Sequence, residues 1–108
     1  MSFGTKQTAQ GTLAAAAANI LAGDASALRY LWQVKLTNTT AAAHTATLSL
    51  GADAAGTRFA AALAVPANSI VDIFFQGLKI QQSVALQGSA DAATSVNYVL
   101  VYDEIKTN

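Results

Sequence analysis

The sequence predicts an all-β chain, an antiparallel β-sandwich or jelly roll of about seven or eight short strands. Three observations lead there. Several stretches alternate apolar and polar side chains with a period of two. Clusters of Gly, Asn, Asp and Ser separate them at intervals of about 8–12 residues. No stretch with a helical period competes, except a run of alanines near the start.

Residues 1–11, MSFGTKQTAQG, are polar with Gly4 and Gly11 and read as an N-terminal arm or edge strand ahead of a single sandwich domain over residues 12–108. The alanine run follows in TLAAAAANILAG (12–23). Alanine has the highest helix propensity, but an isolated helix shorter than about 12 residues is marginal in water. This window lies between Gly11 and Gly23 and has no polar face, so extended structure is expected. Lys6, the apolar run and the ASA at 25–27 imitate a secretory signal. An h-region built of weakly apolar alanine and broken by Asn19 is not expected to act as one.

LRYLWQVKLTN (28–38) gives the clearest strand, with Leu28, Tyr30, Trp32, Val34 and Leu36 expected inside. NTTAAA makes a turn. In HTATLSL (44–50), His44, Ala46, Leu48 and Leu50 share a face, and GADAAG closes that strand. TRFAAALAV, a strand or a looser extended run, ends at Pro66, the only proline. NSIVDIFF places Val71, Ile73 and Phe75 on one face and Ile70, Asp72 and Phe74 on the other, and GLKI continues it after Gly77. SVALQGS forms a short strand, ADAA a turn and TSVNYVLVYDE the last strand.

These alternations leave apolar side chains on faces that a two-layer sandwich would expose. Leu31 falls opposite Trp32, Ile70 and Phe74 opposite Ile73, and Val99 and Val101 opposite Leu100. Exposed apolar patches usually mark contact surfaces. Leu31, Ile70, Phe74, Val99 and Val101 are therefore the expected subunit interface, with cover by a third layer or a loop as the alternative.

Composition narrows the function. Of the 108 residues 53% are hydrophobic, with alanine making up most of the excess, and 11% are charged, against about 25% in an average soluble domain. Such a weakly charged surface favours association. Six basic and six acidic residues cancel, which leaves no net field for nucleic acid or an anionic membrane. Without cysteine there are no disulfides and no thiolate metal sites. No run reaches the ~18 apolar residues of a membrane-spanning helix.

No enzymatic motif is found. His44 is the only histidine, and no nucleophile motif accompanies it. Asp103 and Glu104 are adjacent, so on a strand they point to opposite faces and cannot act as a paired acid and base. The glycines form no phosphate-binding loop. Asp24, Asp53 and Asp91 each sit in a loop of small residues, which fits turn capping better than calcium, a cation that needs several clustered oxygens. No catalytic residue, cofactor or metal is expected.

VKLTNTTAAAHTATLSLG, and later VPANSIVDIFFQGLKIQQSVALQGSADAATSVNYVLVYDE, resemble the small β-sandwich structural proteins of tailed bacteriophage virions. Those proteins share an NTT-type turn before a TLSLG strand, a P..S...F..GL.I segment, a V.LQ.SA segment and a closing VYDE-like strand. The resemblance covers roughly residues 12–104; the chain departs from it at NILAGDAS, where an aromatic-plus-VP stretch is usual. It implies a non-enzymatic virion component that is assembled in the host cytoplasm. The role implied first is a capsid decoration (cement) protein, a homo-oligomer with a trimer favoured, bound to the major capsid protein or another virion protein. Phe3, Lys6 and Gln7 would then be contact residues of the N-terminal arm. A second reading is a tail, neck or fibre module that binds host surface glycans. A third, a secreted adhesin-like domain, requires the disfavoured signal peptide.

Overall fold

In the computed structural model, which describes residues 5–106, eight strands follow one another: β1 (Thr5–Thr12), β2 (Ala18–Leu21), β3 (Ala27–Asn38), β4 (His44–Leu50), β5 (Arg58–Val65), β6 (Ser69–Ile80), β7 (Leu86–Ala90) and β8 (Asn97–Lys106). Phe3 lies outside the described residues. All pairings are antiparallel, and they nest: β1 with β8, β2 with β7, β3 with β6 and β4 with β5. The chain is thus a long double ribbon folded over on itself. Two further pairings, β3 with β8 and β4 with β7, weld the ribbon into sheet A, ordered β1-β8-β3-β6, and sheet B, ordered β2-β7-β4-β5. This is the eight-stranded wiring of a jelly roll.

The core lies between the sheets. Leu31, Val34, Leu36 and Leu100 of sheet A meet Leu48, Val65 and Leu86 of sheet B, all fully buried. On one side Phe59 of β5 meets Phe75 of β6 edge to face, ring centroids 5.6 Å apart, an arrangement aromatic quadrupoles favour.

The alanine run is not a helix. Leu13 drops into the core, its N–H bonded to the Val96 carbonyl at 2.9 Å. Ala14 accepts the Ala90 N–H at 2.9 Å, and Ala14–Ala18 stay exposed until β2 begins. Gly88 explains how this loop lies so close to sheet B. A Cβ there would stand 2.9 Å from Leu13 Cδ2 and 3.1 Å from Leu48 Cδ2, so only glycine leaves room for both.

The face assignment of β3 is corrected at Trp32. Leu31 pairs with Tyr102 and Gln33 with Val101, so Trp32 is an extra residue with no partner on β8. Such a bulge shifts the alternation by one residue. Ala27, Arg29 and Leu31 point inward before it, and Val34, Leu36 and Asn38 after it. Leu31, expected on the outer face, is therefore fully buried; Trp32, expected inside, is 37% exposed. Tyr30 also leaves the core, half-buried on the outer side.

Asn38, also fully buried, shows why the NTT turn works. Its side-chain nitrogen donates to the Ala42 and Val65 carbonyls at 2.8 and 3.1 Å, and its oxygen accepts the N–H and hydroxyl of Thr40 at 2.9 and 2.7 Å. All of its bonding capacity is spent on shaping the β3–β4 connection.

Candidate functional site

One end of the outer face of sheet A, between the Trp32 bulge and the β3–β4 turn, is made of three cross-strand rows. Thr12, Asn97, Thr37 and Ile70 form one, Gln10, Val99, Lys35 and Asp72 the next, and Thr8, Val101, Gln33 and Phe74 the third. Opposed residues share a face in an antiparallel pair, so these rows fix what the surface displays. Val99 and Val101 are half-buried, Val99 between Gln10 and Lys35 and Val101 between Thr8 and Gln33. Ile70 and Phe74 stand clear on the edge strand β6, 58% and 72% exposed. Between them Asp72 accepts a hydrogen bond from Gln33 Nε2 at 3.1 Å.

Four of the five expected interface positions thus face outward, in two pairs divided by β3. Leu31 does not join them and is withdrawn from the surface. Among the described residues, Trp32, Ile70 and Phe74 are the exposed large hydrophobic side chains. Trp32 was missed as a surface residue because the bulge that turns it outward leaves no mark in a strict period of two.

Of the expected arm contacts, Lys6 binds within the chain's own sheet. Lys6 Nζ lies 5.1 Å from the Trp32 ring centroid and 3.4 Å from Asp103 Oδ1, and Trp32 Nε1 donates to Asp103 Oδ2 at 2.6 Å. Lysine, indole and carboxylate form one cation–π and hydrogen-bonded group across β1, β3 and β8. Gln7 is exposed on β1.

Two of the three loop aspartates hold a cation, and the third meets a histidine ring. Asp24 Oδ2 meets Lys106 Nζ at 2.7 Å while its other oxygen accepts the Ser26 N–H at 2.8 Å. The Lys106 hydrogen bond, then that of Ser26, lowers the Asp24 pKa, and the same contact raises that of Lys106. Asp53 accepts from Arg58 Nε and Nη2 at 2.8 and 3.1 Å, a bidentate pair that lowers its pKa. Asp91 Oδ1 lies 2.9 Å from His44 Nδ1; desolvation opposes ionisation there, but the Thr45 backbone and His44 outweigh it and lower the pKa. The aspartates clamp loops onto strands.

Among the described residues no three His, Cys, Asp or Glu side chains gather as a metal site, and no hydroxyl bonds the His44 ring. Two shallow crevices open on sheet A, one of about 220 Å³ walled by Thr37, Asn38, Thr39, Asn68, Ser69 and Ile70, the other of about 370 Å³ beside Gln10, Thr12 and Asn97. Neither is lined by a carboxylate, a histidine or a basic side chain. Arg29, 3% exposed, donates to the Val84 carbonyl at 3.3 Å, and its Nε is buried without a partner. No helix among the described residues is long and apolar enough to cross a membrane.

No protein-family model matches the chain, and no curated protein matches it closely enough to count as a relative. Solved structures do share its fold. A chain of the acid-stable capsid of Helicobacter pylori bacteriophage KHP30 superposes with a TM-score of 0.60 at 11% identity, covering 99% of this chain and 90% of that one. A chain from the Bacillus endospore appendages, a family of disulfide-linked pili, gives 0.55 at 14% identity over 98% of this chain and 88% of the other. A chain of the T13 IBDV viral particle gives 0.51 at 11% identity; this chain is covered to 99% but spans only 32% of that longer one. At such identities the likeness is one of fold: the chain is a jelly-roll β-sandwich similar to proteins found in virus capsids and in a bacterial pilus.

Proposed function

We propose that the chain is a non-enzymatic structural protein of a virus particle that works through protein–protein contacts. The observation that carries this reading is the outer face of sheet A, where Ile70 and Phe74 are left 58% and 72% exposed on a fold whose other large apolar side chains are mostly buried. Two structures with the same fold, those of the bacteriophage KHP30 capsid and the T13 IBDV particle, come from virus particles, which supports the setting. In finer terms the role is capsid decoration: a homo-oligomer, in its favoured form a trimer, docks on the major capsid protein or another virion protein and ties neighbours together. Its location is the virion. Burial of the apolar face supplies the binding energy, and no bond is made or broken.

The test is retention. Purified particles stripped of the protein and re-incubated with it should bind it in fixed stoichiometry, and Phe74→Asp should abolish binding. Deleting residues 1–4, which leaves β1 whole, asks whether the segment that includes Phe3 contributes; unchanged occupancy would remove it from the mechanism.

The glycan-binding alternative gains one observation. Trp32 is 37% exposed with Tyr30 half-buried nearby and Asp103 bonded to its indole, and sugar rings stack on such aromatics. Lys6 already lies over the indole, which argues for the structural role of this group. A glycan array decides: specific signal lost in Trp32→Ala would favour the second reading.

A further inference from the structure

We propose that the β6 edge of sheet A pairs antiparallel with the β6 edge of a second copy of this chain. The proposal rests on the assembling role above and names the strand through which it works.

Four strands end the two sheets: β1 and β6 in sheet A, β2 and β5 in sheet B. An open edge offers its backbone N–H and C=O groups to any passing strand, and proteins that stay apart guard such edges with short strands, bulges or lysines. Three of the four carry a guard. β2 is 4 residues long. β5 is kinked at Ala62, whose φ is 48° and whose N–H is spent on Thr47 Oγ1 at 3.0 Å. β1 presents Lys6 on its outer face, and its exposed side chains at Gln7, Thr8, Gln10 and Thr12 offer a partner no apolar area.

The first half of β6 is different. From Ser69 to Phe74 it follows β3 without a register shift, and the glycine that disturbs it, Gly77, comes later. Its inward side chains, Val71, Ile73 and Phe75, pack on the core and hold the strand straight. Beside this regular edge project Ile70 and Phe74.

The stretch suits a copy of itself. Apolar, acidic and apolar side chains alternate at Ile70, Asp72 and Phe74, so an antiparallel second strand centred on Asp72 sets Ile70 against the neighbour's Phe74 on both sides of a two-fold axis and brings the two Asp72 side chains opposite each other. The single charge, Asp72, is engaged by Gln33 and lies opposite Lys35, and the chain as a whole carries formal charge +0. No strong net field on this edge selects a highly basic or acidic partner; the opposed Asp72 pair weakens pairing by up to about fivefold, offset by Lys35 beside each carboxylate, so Asp72→Asn should tighten association. The same strand on a second copy provides both the backbone ladder and the matching apolar side chains.

Because the chain has no cysteine, any disulfide formed reports introduced residues only. Ile70→Cys, Asp72→Cys and Phe74→Cys are made singly in the full chain, with Thr8→Cys on β1 and Ala64→Cys on β5 as controls. All are oxidised alone and in mixed pairs, after circular dichroism confirms their folding. Pairing about a two-fold predicts a covalent dimer from at least one of the β6 variants or their mixtures, and none from the controls. Placing a guard on the edge with Ile70→Lys should weaken association by about tenfold or more and leave the unfolding curve in place. A larger species in which no β6 variant cross-links, or in which a control does, overturns β6 pairing while the assembling role stands. A chain that remains monomeric at high micromolar concentration overturns both. Association lost on deleting residues 1–4, with no β6 cross-link, assigns the contact to that segment of a neighbour and rejects the β6 pair.

Discussion

Leu31 and Phe74 are both large apolar residues that the alternation sends outward, yet one is fully buried and the other is 72% exposed. Their substitutions should part accordingly. Leu31→Ala removes buried methyl groups and leaves a cavity, so denaturant unfolding should show a loss of about 2–5 kcal/mol. Phe74→Ala touches little of its own fold and should stay within about 0.5 kcal/mol of the parent while weakening association. A Phe74→Ala loss as large as that of Leu31→Ala would place Phe74 in the core. The Asp24–Lys106 clasp gives a pH-dependent counterpart. The folded-state pKa of Asp24 is lowered, so its contribution is complete above the ordinary aspartate range and disappears as pH falls through the folded value. That of Lys106 is raised, so its contribution is complete below the ordinary lysine value and disappears as pH rises through the folded one. Asp24→Asn should therefore reduce stability at neutral pH and flatten the acid limb of the stability–pH curve; an unchanged acid limb would show that the contact contributes nothing in solution.

Among the elements, β3 and β6 show where reading by period succeeds and where it stops. The first six residues of β6 follow the alternation of NSIVDIFF, and Val71, Ile73 and Phe75 lie on the core side as expected. In β3 the same rule holds on each side of Trp32 but changes sign there, because one inserted residue exchanges the two faces. Nothing local in YLWQV announces the insertion, since Leu31 and Trp32 are equally suited to burial. The partner signal is Gly77, whose φ of 78° only glycine adopts without strain and which lies against Trp32, 3.6 Å from a built Cβ to the ring. Gly77→Ala should cost about 1 kcal/mol or more and alter the Trp32 fluorescence maximum; an unaltered spectrum and stability would show that the bulge does not depend on this glycine. The alanine run was legible in the negative sense only. Its helix propensity loses to the pull of Leu13 into the core and to backbone bonds with Val96 and Ala90.

At the scale of the molecule, strand count and antiparallel architecture were legible because turn residues punctuate the chain at regular intervals. Which strand lies beside which was not. The nesting of β1 with β8 and β2 with β7 joins residues from 65 (Leu21 and Leu86) to 99 (Thr5 and Glu104) positions apart, and no local pattern encodes it. The outward-facing apolar positions were legible in part: Ile70 and Phe74 from their parity, but the separation of this pair from Val99 and Val101 only from the order of strands in sheet A. That order places the widest apolar exposure at a sheet edge, where assembly gains both backbone pairing and buried area. The claim that this jelly roll acts by assembling with protein partners is tested most directly by its mass in solution, measured by light scattering across the micromolar range. The account predicts a defined multiple of the 11.0-kDa chain that falls back toward a single chain in Phe74→Asp. A particle of 11.0 kDa at every concentration would contradict it.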